Sequence, residues 1–383
     1  MRKRIIVLGS TGSIGRAALD VAAALKDQVS VVGLAAHQGW QLLAEQAQRF
    51  GVPAVAIADQ RHYDDLKRSC PASTRILGGA EGLVELVKTT EADFVLSAIV
   101  GAAGLPATLA AVGRGLDVGL ANKESLVVAG SLIMPLARQH GSTLIPVDSE
   151  HSAVFQALMS GQAGEVHRLY LTASGGPFRT WSREQIERAT VEQALRHPTW
   201  SMGPKITIDS ATMMNKALEV IEATHLFGVS PDQVEVLVHP ESVVHSIVEF
   251  CDGSLIAQLG TPDMRTPIQY AMTYPQRVPG MAARLDWHQA RRLNFEPPDA
   301  ERFPALRLGY EAARRGGTAG AVLNAANEAA VERFRDGTIP FREITRLTER
   351  VHRRHRSVDE PTLAQLMEAD AWARAEVDGC MRG

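Results

Sequence analysis

The sequence predicts an α/β protein in three parts: an N-terminal domain on a parallel sheet, an α+β domain with a mixed sheet, and a helical C-terminal domain. Three observations carry this. Over the first 150 residues short apolar runs alternate with helical segments, the pattern of βαβ units. Beyond residue 151, stretches rich in Gly, Pro and Ser interrupt further strand-like runs, two of which meet at Asp252-Gly253, a hairpin signal. From about residue 301 the apolar residues recur at helical spacing.

In the first part, strands are expected at residues 4–8, 29–35, 54–58, 94–99, 117–120 and 143–147, with helices beginning near Ser13, Trp40, Leu83, Pro106 and Leu126. The uncharged stretch 94–113 approaches the length of a membrane span, but its glycines, proline and alanines divide it into a strand, a turn and a helix. In the second part, strands are expected at 206–209, 234–238, 243–250 and 254–259, and a helix begins at Ser210. In the third, Phe341, Ile344, Leu347 and Val351 mark one amphipathic helix, and Leu363, Leu366 and Met367 open another. The expected domains are 1–150, 151–275 and 301–383, with 276–300 as linker.

Composition narrows the function. With 383 residues, 45% hydrophobic and 22% charged, the chain is long enough for two or three cores and is neither disordered nor fibrous. A net charge of −3 offers no whole-chain attraction to nucleic acid or an anionic membrane, so any charge selectivity is local. Cys70, Cys251 and Cys380 are widely separated, which supports neither a disulfide framework nor a zinc site and fits a reducing, cytoplasmic compartment. Arg2 to Arg4 are followed by too short an apolar run for a signal peptide.

Gly9-Ser-Thr-Gly12-Ser-Ile-Gly15 leads from the first strand into a helix. There glycine lets the backbone approach phosphates, and the N–H groups of a helix start favour negative charge. The spacing is not the commoner Gly-x-Gly-x-x-Gly, and a ligand-free turn would use the same residues; position at the first βα junction favours a nucleotide. The second strand ends in Ala36-His37-Gln38, without the Asp or Glu that would accept from a free ribose 2′-hydroxyl, so NADP is favoured over NAD. Two exposed loop residues are the plainer reading of His37 and Gln38.

Acidic and basic residues gather after later strands. Asp148-Ser149-Glu150 places carboxylates at i and i+2, on one side if the extended chain continues; they then repel unless a divalent cation or water intervenes. Asn215, Lys216 and Glu219 share one side of a helix, as a phosphate and metal site or as a surface ion pair. Lys123 can stabilise an oxyanion, or simply lie at a helix start capped by Asn122. Trp200 and Met202, between Pro198 and Gly203, suit a lid as well as a core.

Taken together, the glycine turn, Ala121-Asn-Lys-Glu-Ser125, Val147-Asp-Ser-Glu-His151, Thr172-Ala-Ser-Gly-Gly-Pro-Phe178, Arg196-His-Pro-Thr-Trp-Ser-Met202, Asp209-Ser-Ala-Thr-Met-Met-Asn-Lys216 and Leu323-Asn-Ala-Ala-Asn-Glu328 closely resemble the motifs of 1-deoxy-D-xylulose 5-phosphate reductoisomerases, in family order. The resemblance implies a Rossmann-like NADP-binding domain and a homodimeric enzyme using NADPH with Mn²⁺ or Mg²⁺, whose skeletal rearrangement passes through fragmentation. It implies Asp148, Glu150 and Glu219 as metal ligands and catalytic groups with Lys123. Substrate contacts would come from Lys123, Ser149, Glu150, Ser174, His197, Ser210, Asn215, Lys216 and Glu219, and the lid from Trp200 and Met202. Cofactor contacts would come from Thr11, Gly12, Ser13, Ile14, Ala36, His37, Gln38, Asn122, Glu124 and Gly203. The chain departs from many relatives in carrying His37 and Gln38 in place of Lys or Arg with Asn, and Glu241 in place of Gln.

Two other functions compete. A phosphorylating semialdehyde dehydrogenase would need a cysteine nucleophile beside a basic residue, a context none of the three cysteines has. A non-catalytic NADP sensor would have no reason to keep Lys123, Asp148, Glu150 and Glu219 together.

Overall fold

The computed structural model describes residues 2–200, 202–289 and 292–382. Ser201, within the expected lid motif, and residues 290 and 291, within the expected linker, lie outside the described residues. The chain forms two compact units: residues 1–125, 133–152 and 263–283 make the first, and 126–132, 153–262 and 284–383 the second.

The first unit contains β1 (Lys3–Leu8), β2 (Val29–Ala36), β3 (Ala54–Ile57), β4 (Arg75–Gly78), β5 (Phe94–Ser97), β6 (Asp117–Leu120) and β7 (Leu144–Pro146). All pair in parallel, in the order β4-β3-β2-β1-β5-β6-β7. The apolar runs exist because helices cover both faces, and Ile5 to Leu8 are fully buried. After β4 the chain returns to the far side of β1, so order reverses between β1 and β5. Such a switch point opens a crevice at the C-terminal ends of the strands, where ligands bind in α/β sheets.

Six of these strands match the expected positions to within about two residues at each end. The seventh, β4, and the helix Tyr63–Ser69 before it are additions. β4 is an edge strand with two apolar side chains and an exposed Arg75, too short to show a period. The unit also takes in residues 263–283, which lie past the boundary expected at 150 and straddle the one expected at 275. Its helix Arg265–Thr273 packs against helix Ser13–Ala24 and beside β6 and β7.

The second unit holds β8 (Val166–Ala173), β9 (Val234–Val238), β10 (Val244–Phe250) and β11 (Leu255–Leu259), in the order β11-β10-β8-β9. β10 is antiparallel to β8 and β11, whereas β8 and β9 run parallel, giving the expected mixed sheet. β8 is an addition to the expected strands; in it Leu169 and Leu171 are buried on either side of the half-buried Tyr170. Helices Ala305–Arg315, Ala319–Arg335, Phe341–Arg354 and Leu363–Arg382 contribute to one core with this sheet. Phe341, Ile344, Leu347 and Val351 are buried as expected. In the last helix the inward face runs through Leu366, Ala369, Ala373 and Val377, while Leu363 and Met367 are exposed.

One expected strand is a helix. The period-two pattern of Ile206 to Asp209 suggested extended chain, but Pro204–Thr212 is helical. Pro204 stands in the first turn, where its missing N–H costs nothing, and the Thr207 hydroxyl donates back to the Gly203 carbonyl at 2.9 Å. Met213 then takes a left-handed φ of 62°, and a second helix, Met214–Phe227, begins.

Candidate active site

At the sheet's switch point Gly9 has φ +81°, and a Cβ there would lie 2.5 Å from the Ala98 carbonyl oxygen after β5. Only glycine lets the turn approach the neighbouring strand end so closely. Helix Ser13–Ala24 starts directly beyond it, with Gly12 at its cap, where no cap side chain satisfies the first N–H groups among the described residues. Gly12 and Ser13 are exposed, and Thr11 and Ile14 partly so, leaving the turn open to an anion. At the end of β2, Ala36 is buried, and His37 and Gln38 are exposed.

On the same edge, after β6, Asn122 caps helix Lys123–His140. Its Oδ1 accepts from Ser125 N at 2.9 Å, and its Nδ2 donates to the carbonyls of Ile99 and Gly101. The capping role is therefore real, and the amide is occupied in joining two strand ends. The cap does not replace a role for Lys123, which is 2% exposed and forms an ion pair with Asp148 after β7. A lysine this buried needs such a partner. Glu124 is also buried.

The extended geometry expected for Asp148-Ser149-Glu150 does not hold. Helix Ser149–Ala157 begins at once, Ser152 N donates to the Asp148 carbonyl at 2.8 Å, and Ser149 N donates to Asp148 Oδ1 at 3.0 Å. Asp148 acts at the helix start, where negative charge is favoured, and Glu150 lies in the first turn, bonded by the Ser149 hydroxyl.

In the second unit, the break at Met213 sorts the other residues. Ser210 lies in the last turn of the first helix, not at the start of the second as expected; Asn215 and Lys216 open the second. The expected i, i+4 and i, i+3 contacts both form: Asn215 Nδ2 donates to Glu219 Oε1 at 2.6 Å, and Lys216 pairs with Glu219 Oε2. Lys216 and Glu219 are 3% and 0% exposed, so this is no surface salt bridge. The buried Asn215 Oδ1 has no hydrogen-bond partner among the described residues.

Ser174 and His197, far apart in sequence, meet at 3.0 Å between Oγ and Nε2. His197 Nδ1 accepts from the backbone N–H groups of Thr199 and Trp200, at 3.1 and 2.9 Å. The neutral ring therefore carries its proton on Nε2 and donates to Ser174, which also accepts from Gly176 N at 3.2 Å. Gly176, at φ +68°, comes so near Ser210 that a Cβ would lie 2.5 Å from its carbonyl. Trp200 and Met202 are partly buried, with Trp200 6.4 Å from the His245 ring, and Gly203 is exposed.

Glu241 also acquires a role. It accepts from the Asn294 side chain and, at 3.2 Å, from Asn294 N, and lies 3.1 Å from His239 Nδ1. Burial opposes its ionisation, but these bonds together hold its carboxyl low. A glutamine would offer one acceptor oxygen where the carboxylate offers two. The thiols are free, and burial pushes that of Cys70 up, away from the thiolate a nucleophile needs.

A parallel sheet with a glycine turn at its switch point and a buried lysine–carboxylate pair on the same edge places the protein among dinucleotide-dependent enzymes of the Rossmann class. Residues 5–130 match the 1-deoxy-D-xylulose 5-phosphate reductoisomerase family, 144–227 that enzyme's C-terminal domain, and 259–376 the DXP reductoisomerase C-terminal domain. Two curated relatives of that name, from Pelotomaculum thermopropionicum and Symbiobacterium thermophilum, are each 51% identical, over 374 and 379 residues. Each match covers 97% or more of both chains. The Zymomonas mobilis enzyme, solved with NADPH, superposes with a TM-score of 0.93 at 45% identity, covering 100% of this chain and 99% of that one. A DOX-P reductoisomerase solved with NADPH, fosmidomycin and magnesium gives 0.93 at 39%, covering 99% and 98%. The chain belongs to the 1-deoxy-D-xylulose 5-phosphate reductoisomerase family.

Proposed function

We infer that this chain catalyses the NADPH- and divalent-metal-dependent rearrangement and reduction of 1-deoxy-D-xylulose 5-phosphate to 2-C-methyl-D-erythritol 4-phosphate, a step of non-mevalonate isoprenoid synthesis. The observation that carries this reading is buried charge. Lys123 with Asp148, and Lys216 with Glu219, are ion pairs withdrawn from water, an arrangement costly to a fold and useful to a reaction.

Asp148, Glu150 and Glu219 are assigned as metal ligands; their oxygen donors suit a hard ion such as Mg²⁺ or Mn²⁺. When bound, the cation would polarise the ketose oxygens and NADPH would supply hydride. The chain's own residues bind and orient. Lys123 and Ser149 meet the substrate's oxygens. Ser210, Asn215 and Lys216 take the phosphate with Ser174, whose own hydroxyl proton is left to donate because its lone pairs accept from His197 and Gly176. Asn215 Oδ1, without a hydrogen-bond partner among the described residues, fits a donor such as a substrate hydroxyl, and the open helix start after Gly12 fits an anion. Trp200 and Met202 close over the substrate and exclude water. Thr11, Gly12, Ser13 and Ile14 bind the cofactor's pyrophosphate; Ala36, His37, Gln38, Asn122, Glu124 and Gly203 complete its site.

Residues 1–150 are assigned to NADP binding, 151–275 to catalysis and dimerisation, 276–300 to a linker and 301–383 to the helical C-terminal part. A homodimer is supported by the outer strand β11, whose Leu255 is 60% exposed. Among the described residues no helix is long and apolar enough to cross a membrane, and three free thiols fit the cytoplasm. The test is an NADPH-oxidation assay with the phosphorylated ketose. Turnover that requires both the ketose and Mn²⁺ is expected; oxidation indifferent to either would overturn the reading.

A further inference from the structure

We propose that Arg61, anchored by Asp59, binds the 2′-phosphate of NADPH and sets the preference for NADPH over NADH. The inference rests on the cofactor reading above. That reading left a gap: where β2 ends, His37 and Gln38 supply no fixed positive charge, and a phosphate that distinguishes two otherwise identical cofactors calls for one.

The next strand supplies it. β3 runs beside β2, and the pairing continues past their ends, with Asp59 N donating to the His37 carbonyl at 3.0 Å. Gln38 Nε2 donates to Asp59 Oδ2 at 3.3 Å. Asp59 then grips Arg61: its Oδ1 accepts from Arg61 N at 3.1 Å and Nε at 2.9 Å, and its Oδ2 from Nη2 at 2.6 Å. The carboxylate is only 10% exposed, the guanidinium 78%. Hydrogen bonds from Arg61 hold the Asp59 carboxyl well below the usual carboxylate range.

These facts separate two roles for the pair. An acid at this edge could have accepted from a free ribose 2′-hydroxyl, as in NAD enzymes. Asp59 is covered, and its oxygens are already filled by Gln38 and Arg61. What faces solvent is the outer edge of the guanidinium, whose Nη1 donates to no group among the described residues. The anchor removes most of the rotational freedom an arginine loses on binding, which leaves a pre-aimed fork for phosphate beside His37 and Gln38.

Calorimetry with 2′,5′-ADP, and with ADP-ribose, which lacks the 2′-phosphate, tests this without turnover. Arg61→Ala should weaken 2′,5′-ADP on the order of 10- to 100-fold, the range of one lost charge-assisted contact, and leave ADP-ribose unchanged. Arg61→Lys should recover part of the loss. Arg68→Ala, which removes an exposed guanidinium paired with Asp65, should change neither. Equal binding of 2′,5′-ADP by parent and Arg61→Ala overturns the proposal, as does Asp59→Asn weakening ADP-ribose while Arg61→Ala is silent. A parent that binds 2′,5′-ADP no better than ADP-ribose would take the NADPH reading down with it.

Discussion

The glycine turn after β1 and the broken helix around Met213 are assigned to the two reactants, cofactor and phosphorylated ketose, and they are built by opposite means. At the turn the groups so assigned are backbone N–H donors. Side chains are excluded so that chain can approach chain, as the 2.5 Å gap between a Gly9 Cβ and Ala98 O shows. At the broken helix the groups so assigned are side chains, Ser210 before the break and Asn215, Lys216 and Glu219 after it, the last three held by contacts with one another. A backbone site is spelled in a few adjacent letters. A side-chain site depends on where helices start and stop, which is decided by packing.

The largest effect should come from the side-chain site. Glu219→Gln keeps shape and removes charge, and should cut turnover on the order of 10²- to 10³-fold and weaken Mn²⁺ while leaving NADPH affinity intact. Equal Mn²⁺ affinity by calorimetry would remove Glu219 from the ligand set.

The backbone site is broken instead by bulk. Gly9→Ala should cost at least about 2 kcal/mol of stability and lower NADPH affinity. Gly51→Ala, at φ 61° with nothing within 4 Å, should cost only about 1 kcal/mol. If the two variants melt alike, close approach at Gly9 is not what the glycine serves.

Lys216→Ala sharpens the contrast within one site. It should raise KM for the ketose by about 10- to 100-fold with little change in KM for NADPH. An unchanged ketose KM would leave Lys216 as nothing more than a counter-ion to Glu219.

The smallest effect concerns Trp200. Among five Trp, Trp200→Phe should selectively lose the emission change that a hydroxamate phosphonate analogue induces with Mn²⁺ and NADPH. A surviving signal with a lowered melting temperature would make Trp200 packing rather than lid.

This difference explains what could be read in the chain. The parallel sheet was legible because strands buried on both faces must be apolar throughout, and the glycine turn because positive φ leaves few choices. Asn215, Lys216 and Glu219 were legible as a helical constellation. The helix carrying Ser210 was not: Ile206 and Ile208 flanking Thr207 imitate a strand, and Met213 adopts a left-handed conformation that usually advertises itself with glycine. Asp148 and Glu150 were found, but their geometry was misjudged because nothing in Pro146-Val-Asp-Ser-Glu150 says that the helix begins so early. The meeting of Ser174 with His197, and Arg61 beside the end of β2, depend on pairings between distant segments that no local pattern encodes.

Residues 263–283 have a consequence for synthesis. The unit whose first strand begins at Lys3 receives helix Arg265–Thr273 only after some 110 intervening residues of the other unit have left the ribosome, a span read from its boundaries at 152 and 263. Until then helix Ser13–Ala24 has β1 and β2 to pack on but not helix Arg265–Thr273. The unit that carries the glycine turn thus begins to be made first, yet is completed only once residue 283 has been added. A fragment stopped near residue 150 would emerge with an apolar flank uncovered, and would be a client for chaperones rather than a free-standing module.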